Sequence, residues 1–377
     1  MKTRIYHIYW GTAGNAGLYL DEIYQVLSMA GYKQRVFVSY YYPFRYGDRI
    51  FFKRTEMEHS HYKGKMRKIV MGLELLLGLS KVLVCSLIDK PDVINYSYAG
   101  WGNGLIYWFL KLIRKCNRGT LIITCHDVVP SVRNKAKYEK ELSIKQKIYN
   151  LADYFIVHNA NSIDDIKRVF GINLEKVLLH PFPLMDLSKL DSQGKTNDSK
   201  YDFLFIGHLR REKGIELLFE AWPLFHKMCP EASLCIAGNA TLYEDFINKR
   251  RTECVENNII LNLGFIKDKD YIEIIKSSNC VVFPYTAGTN SGVISTVISL
   301  GRNVITSDIG MFVNNPLVHR DSIFETGNIN SFVEKLKEFY GKTFDEDNHQ
   351  RIEKYREEFQ RQVINVYSAF DRAKNDK

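Results

Sequence analysis

The chain alternates strand-like and helix-like segments twice, once on each side of a polar stretch at residues 191–200. Short apolar runs are followed by segments with apolar residues at helical spacing, a pattern typical of a parallel sheet covered by helices. The polar stretch, DSQGKTNDSK, has no large apolar residue and is typical of a linker. Because 377 residues are enough for two cores, we predict two doubly wound α/β domains.

The predicted boundaries lie where the alternation stops and restarts. We predict an N-terminal Rossmann-like domain at 1–190, a linker at 191–200, a second Rossmann-like domain at 201–345, and a C-terminal helix at 346–377 that packs back on the first domain. The predicted strands of the second domain are 202–206, 233–237, 259–263, 280–283 and 303–306. Ligands of such folds bind beyond the carboxyl ends of the strands, here in the cleft between domains.

Cysteine usage and hydropathy indicate a cytoplasmic protein without a membrane span. The seven cysteines contain no CxxC pair and no metal-ligand spacing, which favours a reducing compartment over a disulfide framework. The N-terminus does not resemble a signal peptide. The longest apolar candidate, 105–113, is interrupted by Lys111. We therefore expect no spanning helix.

The net positive charge of the chain comes from its first half. Residues 1–190 hold 28 Lys and Arg against 16 Asp and Glu, whereas residues 191–377 hold 24 against 27. The segment 33–68 combines ten basic residues with three acids and nine aromatics. This mixture suits an anionic membrane surface, single-stranded nucleic acid, or an ordinary strand and loop with a solvated basic face. All three alternatives stay open on composition.

Two loops of the first half follow predicted strands. The glycine-rich turn GTAGNAG at 11–17 lacks the G-x-G-x-x-G fingerprint, so it is either a tight turn or a place where backbone approaches a sugar or phosphate. His126 and Asp127 come directly after a strand. They would bind hydroxyls or supply a base, unless they are only a surface-facing polar pair.

Two loops of the second half suit a diphosphate. Arg210 and Lys213 lie three residues apart, just before a helix. Two cations beside a helix N-terminus neutralise a diphosphate without a metal ion. The segment 283–301, FPYTAGTNSGVISTVISLG, is a small-residue loop that feeds a helix and would present backbone N–H groups to an anion. The alternatives are a solvated basic turn for the first loop and an ordinary strand-to-helix turn for the second.

The order of these motifs resembles a known family. The runs FIGHLRREKGIELLFEAW, ASLCIAG and LNLGFIKDKDYIEIIKSSNCVVFPYTAGTNSGVISTVISLGRNVITSDIG are similar to the donor domain of bacterial group 1 nucleotide-sugar glycosyltransferases, which have the GT-B fold. The glycine-rich first loop, PDVINYSY and CHD agree with the N-terminal half of that family. The resemblance covers nearly the whole chain.

The resemblance implies a role for each motif. Arg210 and Lys213 would clamp the donor diphosphate, and His126 would approach the donor sugar. Gly14 would lie near the phosphates or the acceptor. The backbone of the last loop would hold phosphate and sugar oxygens, and a second loop would flank the base; these residues are Asn290, Ser291, Gly292 and Val293 for the first, and Gly264, Phe265 and Ile266 for the second.

The chain departs from the family at one point. Many members have two glutamates eight residues apart in the last segment, the first near the transferred sugar and the second on the ribose. Gly288 and Thr296 occupy those places here. The ribose contact would then be made by Ser295, Thr296 or another group, and the identity of the sugar does not follow from the motif.

The resemblance implies a retaining transferase for a nucleotide diphosphate-sugar, UDP- or GDP-linked, that requires no metal or other cofactor. The acceptor would be a saccharide, for example one linked to polyprenyl diphosphate, in bacterial cell-surface polysaccharide assembly. The basic N-terminal domain would attach peripherally to the inner face of the cytoplasmic membrane through residues 37–68 and the following helix. If the enzyme inverts, Asp127 is the expected base. The alternatives are an inactive nucleotide-sugar binder and a single-stranded nucleic-acid binder.

Overall fold

The computed structural model describes residues 2–11, 16–42, 46–56, 61–98, 103–130, 135–184, 200–288, 292–344 and 346–375. The chain forms two compact units. Unit 1 contains residues Met1–Pro183 and Glu358–Lys377, and unit 2 contains Leu184–Glu357.

Unit 1 is built on a seven-stranded parallel sheet with the order β3-β2-β1-β4-β5-β6-β7. Its strands are β1 Arg4–Tyr9, β2 Lys33–Ser39, β3 Asp48–Phe51, β4 Val93–Ser97, β5 Thr120–Thr124, β6 Tyr154–Val157 and β7 Val177–Leu179. Its helices are α1 Ala16–Met29, α2 Gly64–Asp89, α3 Asn103–Cys116, α4 Lys135–Tyr149 and α5 Ala160–Phe170, with a 3-10 turn at Leu174–Lys176.

Unit 2 is built on a six-stranded parallel sheet with the order β10-β9-β8-β11-β12-β13. Its strands are β8 Tyr201–Ile206, β9 Leu234–Gly238, β10 Ile259–Leu263, β11 Ser278–Phe283, β12 Asn303–Ser307 and β13 Ile323–Phe324. Its helices are α6 Ile215–Met228, α7 Glu244–Asn248, α8 Arg251–Glu256, α9 Asp268–Lys276, α10 Gly292–Ser299, α11 Gly310–Val313 and α12 Ile329–Phe339, with 3-10 turns at Arg211–Lys213 and Arg320–Ser322. Helix α13, Glu346–Asn375, begins in unit 2 and ends in unit 1.

The predicted fold class is confirmed: both sheets are parallel and doubly wound. The central strands are almost fully buried because helices cover both faces of a parallel sheet. Two short strands, β3 and β13, were missed because four and two residues are too few to show alternation. The helical segment between β9 and β10 is interrupted at Lys249 and Arg250, which separate α7 from α8.

The second half of α13 is hydrogen-bonded to the sheet of unit 1. Asn95 in β4 donates to the Tyr367 hydroxyl over 2.8 Å, and its amide oxygen accepts from the Thr124 hydroxyl over 2.8 Å. All three side chains are buried. Since an unpaired polar group in a core costs about 1–3 kcal/mol, this network holds the helix at a defined place on the sheet.

Four rings of the basic, aromatic segment 33–68 are core, which corrects the expectation for these four rings that they face a membrane or nucleic-acid bases. Phe37, Tyr42, Phe51 and Phe52 are buried, and Phe51 packs edge-on against Trp10. Phe37 belongs to β2 and Phe51 to β3, and Tyr42 and Phe52 lie close to the ends of these strands. Their rings therefore face the helices that cover the sheet. A single-strand nucleic-acid binder needs exposed rings for stacking, and these described rings are not exposed.

Helix α2 bears on the expectation that no helix spans a membrane. By length and composition it is capable of crossing a membrane, although 28% of its most apolar 18-residue stretch is buried in the protein. Sequence analysis overlooked it because Glu74 and Lys81 interrupt the apolar run. A helix of this kind is weak evidence for a span, since the core helices of soluble proteins share the same composition.

Candidate functional site

Three glycines end three adjacent strands of unit 2. Gly207, Gly238 and Gly264 follow or close β8, β9 and β10, and their φ values are 135°, 132° and 128°. At Gly238 a Cβ atom would lie 1.9 Å from the carbonyl oxygen of Gly207, so any larger residue would push the two strand ends apart. The carboxyl edge of this sheet is therefore bare backbone, to which a ligand has close access.

The turn that carries Arg210 and Lys213 is fastened to the segment after β11. The backbone N–H of Thr286 donates to the carbonyl of Glu212 over 3.0 Å. Gly214 has φ 70°, and a Cβ there would lie 1.6 Å from the carbonyl oxygen of Pro284. Two loops that are 70 residues apart in the chain are thus in contact, and the second of them leads toward α10.

Tyr285 holds the lysine of this turn in place. The Lys213 ammonium lies 3.7 Å from the centre of the Tyr285 ring, a short cation–π contact. The ring is buried, and its backbone carbonyl accepts from the Ser307 hydroxyl of β12. Sequence reasoning missed Tyr285; the available signal was an aromatic residue directly after the proline that ends β11.

The surroundings of this turn are electropositive. Burial lowers the pKa of His208, and the nearby charges of Arg210 and Lys213 lower it further. The only carboxylate paired with Arg210 among the described residues is Glu212, at 3.8 Å, with both side chains partly exposed. Such a pair is weak, so a bound anion would meet a net positive site.

The predicted contacts at α10 are placed only in part. Gly292 begins the helix and Val293 is half-buried, whereas Asn290 and Ser291 lie outside the described residues. Ser295 and Thr296 are 3% and 2% exposed, and the Thr296 hydroxyl donates to the Gly292 carbonyl over 3.1 Å. Both side chains are buried, so their exposure does not support a contact with a ribose. The role expected for Ser295 and Thr296 stays a prediction.

The space at Gly288 is limited by Met311. A Cβ on Gly288 would lie 3.0 Å from the Met311 sulfur and 3.1 Å from its methyl carbon. Met311 is buried in α11 among the apolar residues of unit 2. The place of the first family glutamate is thus occupied by a glycine packed under a methionine, and a carboxylate side chain there would need Met311 to move.

The loop predicted to flank the base has one conspicuous feature. Phe265 is 81% exposed, while its neighbour Ile266 packs against the core of unit 2. The backbone N–H of Gly264 donates to the Gly238 carbonyl over 2.9 Å and anchors the loop to the end of β9. An exposed ring on an anchored loop at the carboxyl edge is available for stacking on a planar base.

Three histidines end three adjacent strands of unit 1. His126, His158 and His180 follow the ends of β5, β6 and β7, which lie side by side in the sheet. The rings of His126 and His158 stack at 5.2 Å, and Tyr19 from α1 packs edge-on against both. Sequence analysis found only His126. Gly14, predicted near this edge, lies outside the described residues.

Backbone carbonyls determine the tautomers of these histidines. His180 Nδ1 donates to the Pro181 carbonyl over 3.0 Å, so its Nε2 accepts from the Tyr19 hydroxyl over 3.0 Å. His158 Nδ1 donates to the His180 carbonyl over 3.2 Å, so its Nε2 accepts from His126 Nδ1–H over 3.2 Å. His126 therefore carries its proton on Nδ1, and its Nε2 is a hydrogen-bond acceptor.

Burial keeps this cluster neutral. It lowers the pKa of His126 to about 3 and that of His180 to about 4, and the proximity of His180 adds to the shift at His126. Burial also lowers the pKa of His158 well below its usual value, with further contributions from the two neighbouring histidines. At neutral pH the edge offers uncharged hydrogen-bonding groups.

Asp127, the second predicted residue, is exposed, and its loop is held from below by a buried lysine. The Lys145 ammonium donates to the Asp127 carbonyl and lies over the rings of Tyr98 and Tyr149, at 4.5 and 5.6 Å. Burial lowers the pKa of Lys145, while the nearby Cys125, Asp127 and Glu141 oppose that shift. The lysine positions the loop that carries His126 and Asp127.

Within the part of the chain that the structure describes, no group of three or more His, Cys, Asp or Glu residues is placed to hold a metal ion. A pocket in unit 2 is lined by Asn303, Val304, Arg302 and Arg351 among others. It lies at the beginning of β12, the sheet edge opposite to the glycine-lined one. It is therefore separate from the candidate site.

Comparisons with solved structures agree with this architecture. Sucrose-phosphate synthase from Thermosynechococcus elongatus superposes with a TM-score of 0.68 at 16% identity, covering 100% of both chains. Anabaena Alr3699/HepE in complex with UDP gives 0.63 at 13%, also covering 100% of both. The lipopolysaccharide outer core galactosyltransferase WaaB gives 0.59 at 14%, covering 97% of this chain and 98% of that one. No curated protein sequence matches the chain significantly.

Two parallel, doubly wound sheets whose carboxyl edges carry the polar loops are the architecture of the GT-B fold. The family model for glycosyl transferases group 1 matches residues 188–358, which include every described candidate residue of unit 2. The matched residues, which are less than half of the chain, form a glycosyl transferases group 1 domain, and this domain supports a glycosyltransferase activity.

Proposed function

We propose that the protein transfers a sugar from a nucleotide diphosphate-sugar to an acceptor hydroxyl, with the donor bound by unit 2. One observation carries the proposal: the turn with Arg210 and Lys213 is fastened to the segment that follows β11 and precedes α10 in the chain. Two cations, a helix N-terminus and bare glycine backbone at one sheet edge together suit a diphosphate.

In the proposed mechanism, negative charge develops on the departing diphosphate as the bond to the sugar breaks. Arg210, Lys213 and the N–H groups that open α10 would stabilise that charge in the transition state. Lys213 is already positioned by the Tyr285 ring, so little reorganisation is needed when the charge develops.

His126 would contact the donor sugar as a hydrogen-bond acceptor. Its Nδ1 proton is engaged by His158, so Nε2 is suited to a sugar hydroxyl that donates. We propose retention of anomeric configuration, and Asp127 as the base if the configuration inverts. NMR of the product's anomeric carbon decides between the two: the same configuration as the donor supports retention, and the opposite configuration replaces it with an Asp127-assisted inversion.

The nucleotide and the biological setting belong to the same proposal. We propose a UDP- or GDP-sugar donor, with UDP favoured because a structural neighbour was solved with UDP. We propose an acceptor in bacterial cell-surface polysaccharide assembly, linked for example to polyprenyl diphosphate and held by the domain at residues 1–190. A neighbour that acts on the lipopolysaccharide outer core supports this setting.

A thermal-shift series with UDP, GDP and dTDP and their glucose conjugates tests the donor assignment. A ligand that binds only the folded protein raises its melting temperature. We expect one nucleotide series to stabilise the wild type and not the Arg210→Ala/Lys213→Ala variant. Equal shifts in both proteins would contradict the assignment of these residues to the diphosphate.

A further inference from the structure

We propose that the outer faces of α2 and α3 form a docking surface for an anionic lipid bilayer, on which α2 lies in the membrane plane without crossing it. This inference rests on the proposed function, in which the acceptor is membrane-linked. It keeps the helix that follows residues 37–68 in the expected attachment surface, adds α3, and leaves out the buried rings of β2 and β3.

Helix α2 has two apolar faces, and only one of them is covered. The inner face packs on the sheet at Leu75, Leu79 and Val82, and Gly78 leaves room for the Phe51 ring, which a Cβ would approach to 2.4 Å. The outer face carries large apolar side chains that are about half exposed or more, at Met66, Ile69, Leu73, Leu76, Leu77, Val84 and Ile88. Leu77 and Ile88 are 70% and 74% exposed.

Helix α3 extends this surface. It packs beside α2 and exposes Leu105, Trp108 and Leu112 at helical spacing, with Trp108 65% exposed. Exposed apolar patches of this extent on a soluble protein mark an interaction surface. A tryptophan at its border is typical of the membrane interface, where an amphipathic ring sits at headgroup depth.

The charges on these helices indicate which partner fits. The two helices contain only two acids, Glu74 and Asp89. Glu74 accepts from the Arg54 N–H and the Thr55 hydroxyl, both over 2.7 Å, and Asp89 pairs with Arg35 over 2.9 Å. Both carboxylates are thus engaged by neighbouring residues of unit 1.

The exposed charges that border the apolar face are cationic. They are Lys63, Lys65, Lys68, Lys81 and Lys90 on or beside α2, and Lys111 and Lys115 on α3. The Lys111 ammonium lies 5.1 Å from the Trp108 ring, so one cation and one interfacial ring are adjacent. An apolar face bordered by lysines matches the acyl boundary and headgroups of an anionic leaflet. A protein partner with an acidic rim is less favoured, because the apolar strip follows a single long helix rather than forming a pocket.

The inner face excludes a transmembrane orientation. Crossing the bilayer would remove Leu75, Leu79 and Val82 from the core of unit 1 and leave Phe51 without its cover. A helix that keeps one face in the protein exposes only the other to lipid, which requires it to lie along the interface.

Flotation of the full-length chain with vesicles tests the surface. The probes are phosphatidylcholine vesicles with and without 30% phosphatidylglycerol, at about 50 mM and about 500 mM salt. We expect binding to the anionic vesicles at low salt and release at high salt, because each lysine near an anionic surface contributes about fivefold. Equal binding to both vesicle types, or retention after high salt and alkaline carbonate, would overturn the proposal in favour of a charge-independent or spanning attachment.

Matched variants locate the contact. Leu77→Gln/Ile88→Gln should reduce the vesicle partition coefficient about tenfold or more, and Lys65→Gln/Lys68→Gln should do so at low salt only. Leu242→Gln/Val255→Gln is the control, since these residues are 69% and 83% exposed on unit 2. A similar loss in the control would overturn the assignment. So would light scattering that shows a dimer dissociated by Leu77→Gln/Ile88→Gln, which would make this face a self-interface.

Trp108 fluorescence reports insertion directly. We expect a blue shift with anionic vesicles that is absent in Trp108→Phe, and an unchanged spectrum would contradict the docking geometry. A nucleotide-sugar thermal shift on Leu77→Gln/Ile88→Gln separates the two proposals. We expect this variant to bind the donor as the wild type does. If the wild type binds the donor but not the vesicles, only the docking surface is wrong. If the wild type binds the vesicles but no donor, the proposed function is wrong.

Discussion

The carboxyl edges of the two sheets carry opposite kinds of chemistry on the same architecture. In unit 1 the edge ends in three neutral histidines beside Tyr19, of which His158 and His180 are buried and His126 is half-buried. In unit 2 it ends in three glycines, with Arg210 and Lys213 beside them. A neutral edge with directional acceptors suits hydroxyls, and a bare cationic edge suits phosphates. The difference teaches that two sheets of the same architecture offer different groups to a ligand when different residues follow their strands.

Acidification should distinguish the two edges most strongly, because the three strand-end histidines lie at the edge of unit 1 and must stay neutral for it to remain folded. An unfolded histidine protonates near pH 6.5, whereas folded His126 and His180 have pKa values of about 3 and 4. Below pH 6.5 the unfolded state therefore binds more protons, and stability falls as the pH drops toward 4. Each histidine contributes up to about 1.4 kcal/mol per pH unit.

Urea unfolding between pH 7 and 4.5 measures this dependence. In the His158→Gln variant, which lacks one titrating ring, the free energy of unfolding should depend less steeply on pH, by up to about 1.4 kcal/mol per pH unit. A free energy of unfolding that does not change between pH 6.5 and 5 would contradict the neutral cluster.

Removing the cations should abolish the function of the unit 2 edge. Arg210→Ala/Lys213→Ala should lower kcat/KM about 10³-fold, or ~4 kcal/mol of transition-state stabilisation. Arg211→Ala is the matched control, because its side chain is 81% exposed and lies 3.9 Å from Glu216. Steady-state kinetics on the identified donor measure both, and a near-normal double variant would refute the diphosphate site.

Gly214→Ala tests whether the two loops of unit 2 must be in contact. The new Cβ would meet the Pro284 carbonyl at 1.6 Å, so we expect a loss of about 3 kcal/mol in the free energy of unfolding, as strain and collision add. Gly171→Ala is the control: its φ of 64° is similar, but nothing lies within 4 Å. It should cost about 1 kcal/mol. Equal losses by urea denaturation would show that the loop contact contributes nothing.

The tautomer chain in unit 1 is tested by His158→Phe and His158→Gln. Phenylalanine removes the acceptor for His126 Nδ1–H, so we expect mixed His126 tautomers in ¹⁵N NMR and about a tenfold fall in kcat, ~1.4 kcal/mol. Glutamine offers an oxygen near the place of Nε2 and should restore most of both. A wild-type His126 with its proton on Nε2 would show that the chain is assigned in the wrong direction.

The smallest expected effect concerns base stacking. Phe265→Ala should raise KM for the donor about fivefold, ~1 kcal/mol, with kcat unchanged, because stacking holds the base equally in the ground and transition states. Leu242→Ala is the control for loss of an exposed apolar side chain in unit 2. Unchanged KM in Phe265→Ala would remove this residue from the base site.

Particular residues show how far sequence reasoning reaches. The edge of β11 and the cations before α6 were predicted because each is a local pattern: an apolar run, a proline, two basic residues three apart. His158 and His180 were not predicted, because each is a single histidine after a short strand. Tyr285 was missed because its contact with Lys213 joins loops that are 72 residues apart in the chain.

Sequence patterns by themselves determined the two parallel sheets, the group 1 glycosyltransferase resemblance and the cations of the donor edge, because these depend on local periodicity and on residue order. Only the tertiary structure decided which side chains meet. The sheet order places β5, β6 and β7 side by side and so assembles the histidine chain. It also buries Phe37, Phe51 and Phe52 and leaves one face of α2 exposed, since burial depends on what packs against a residue and not on the residue's own hydropathy.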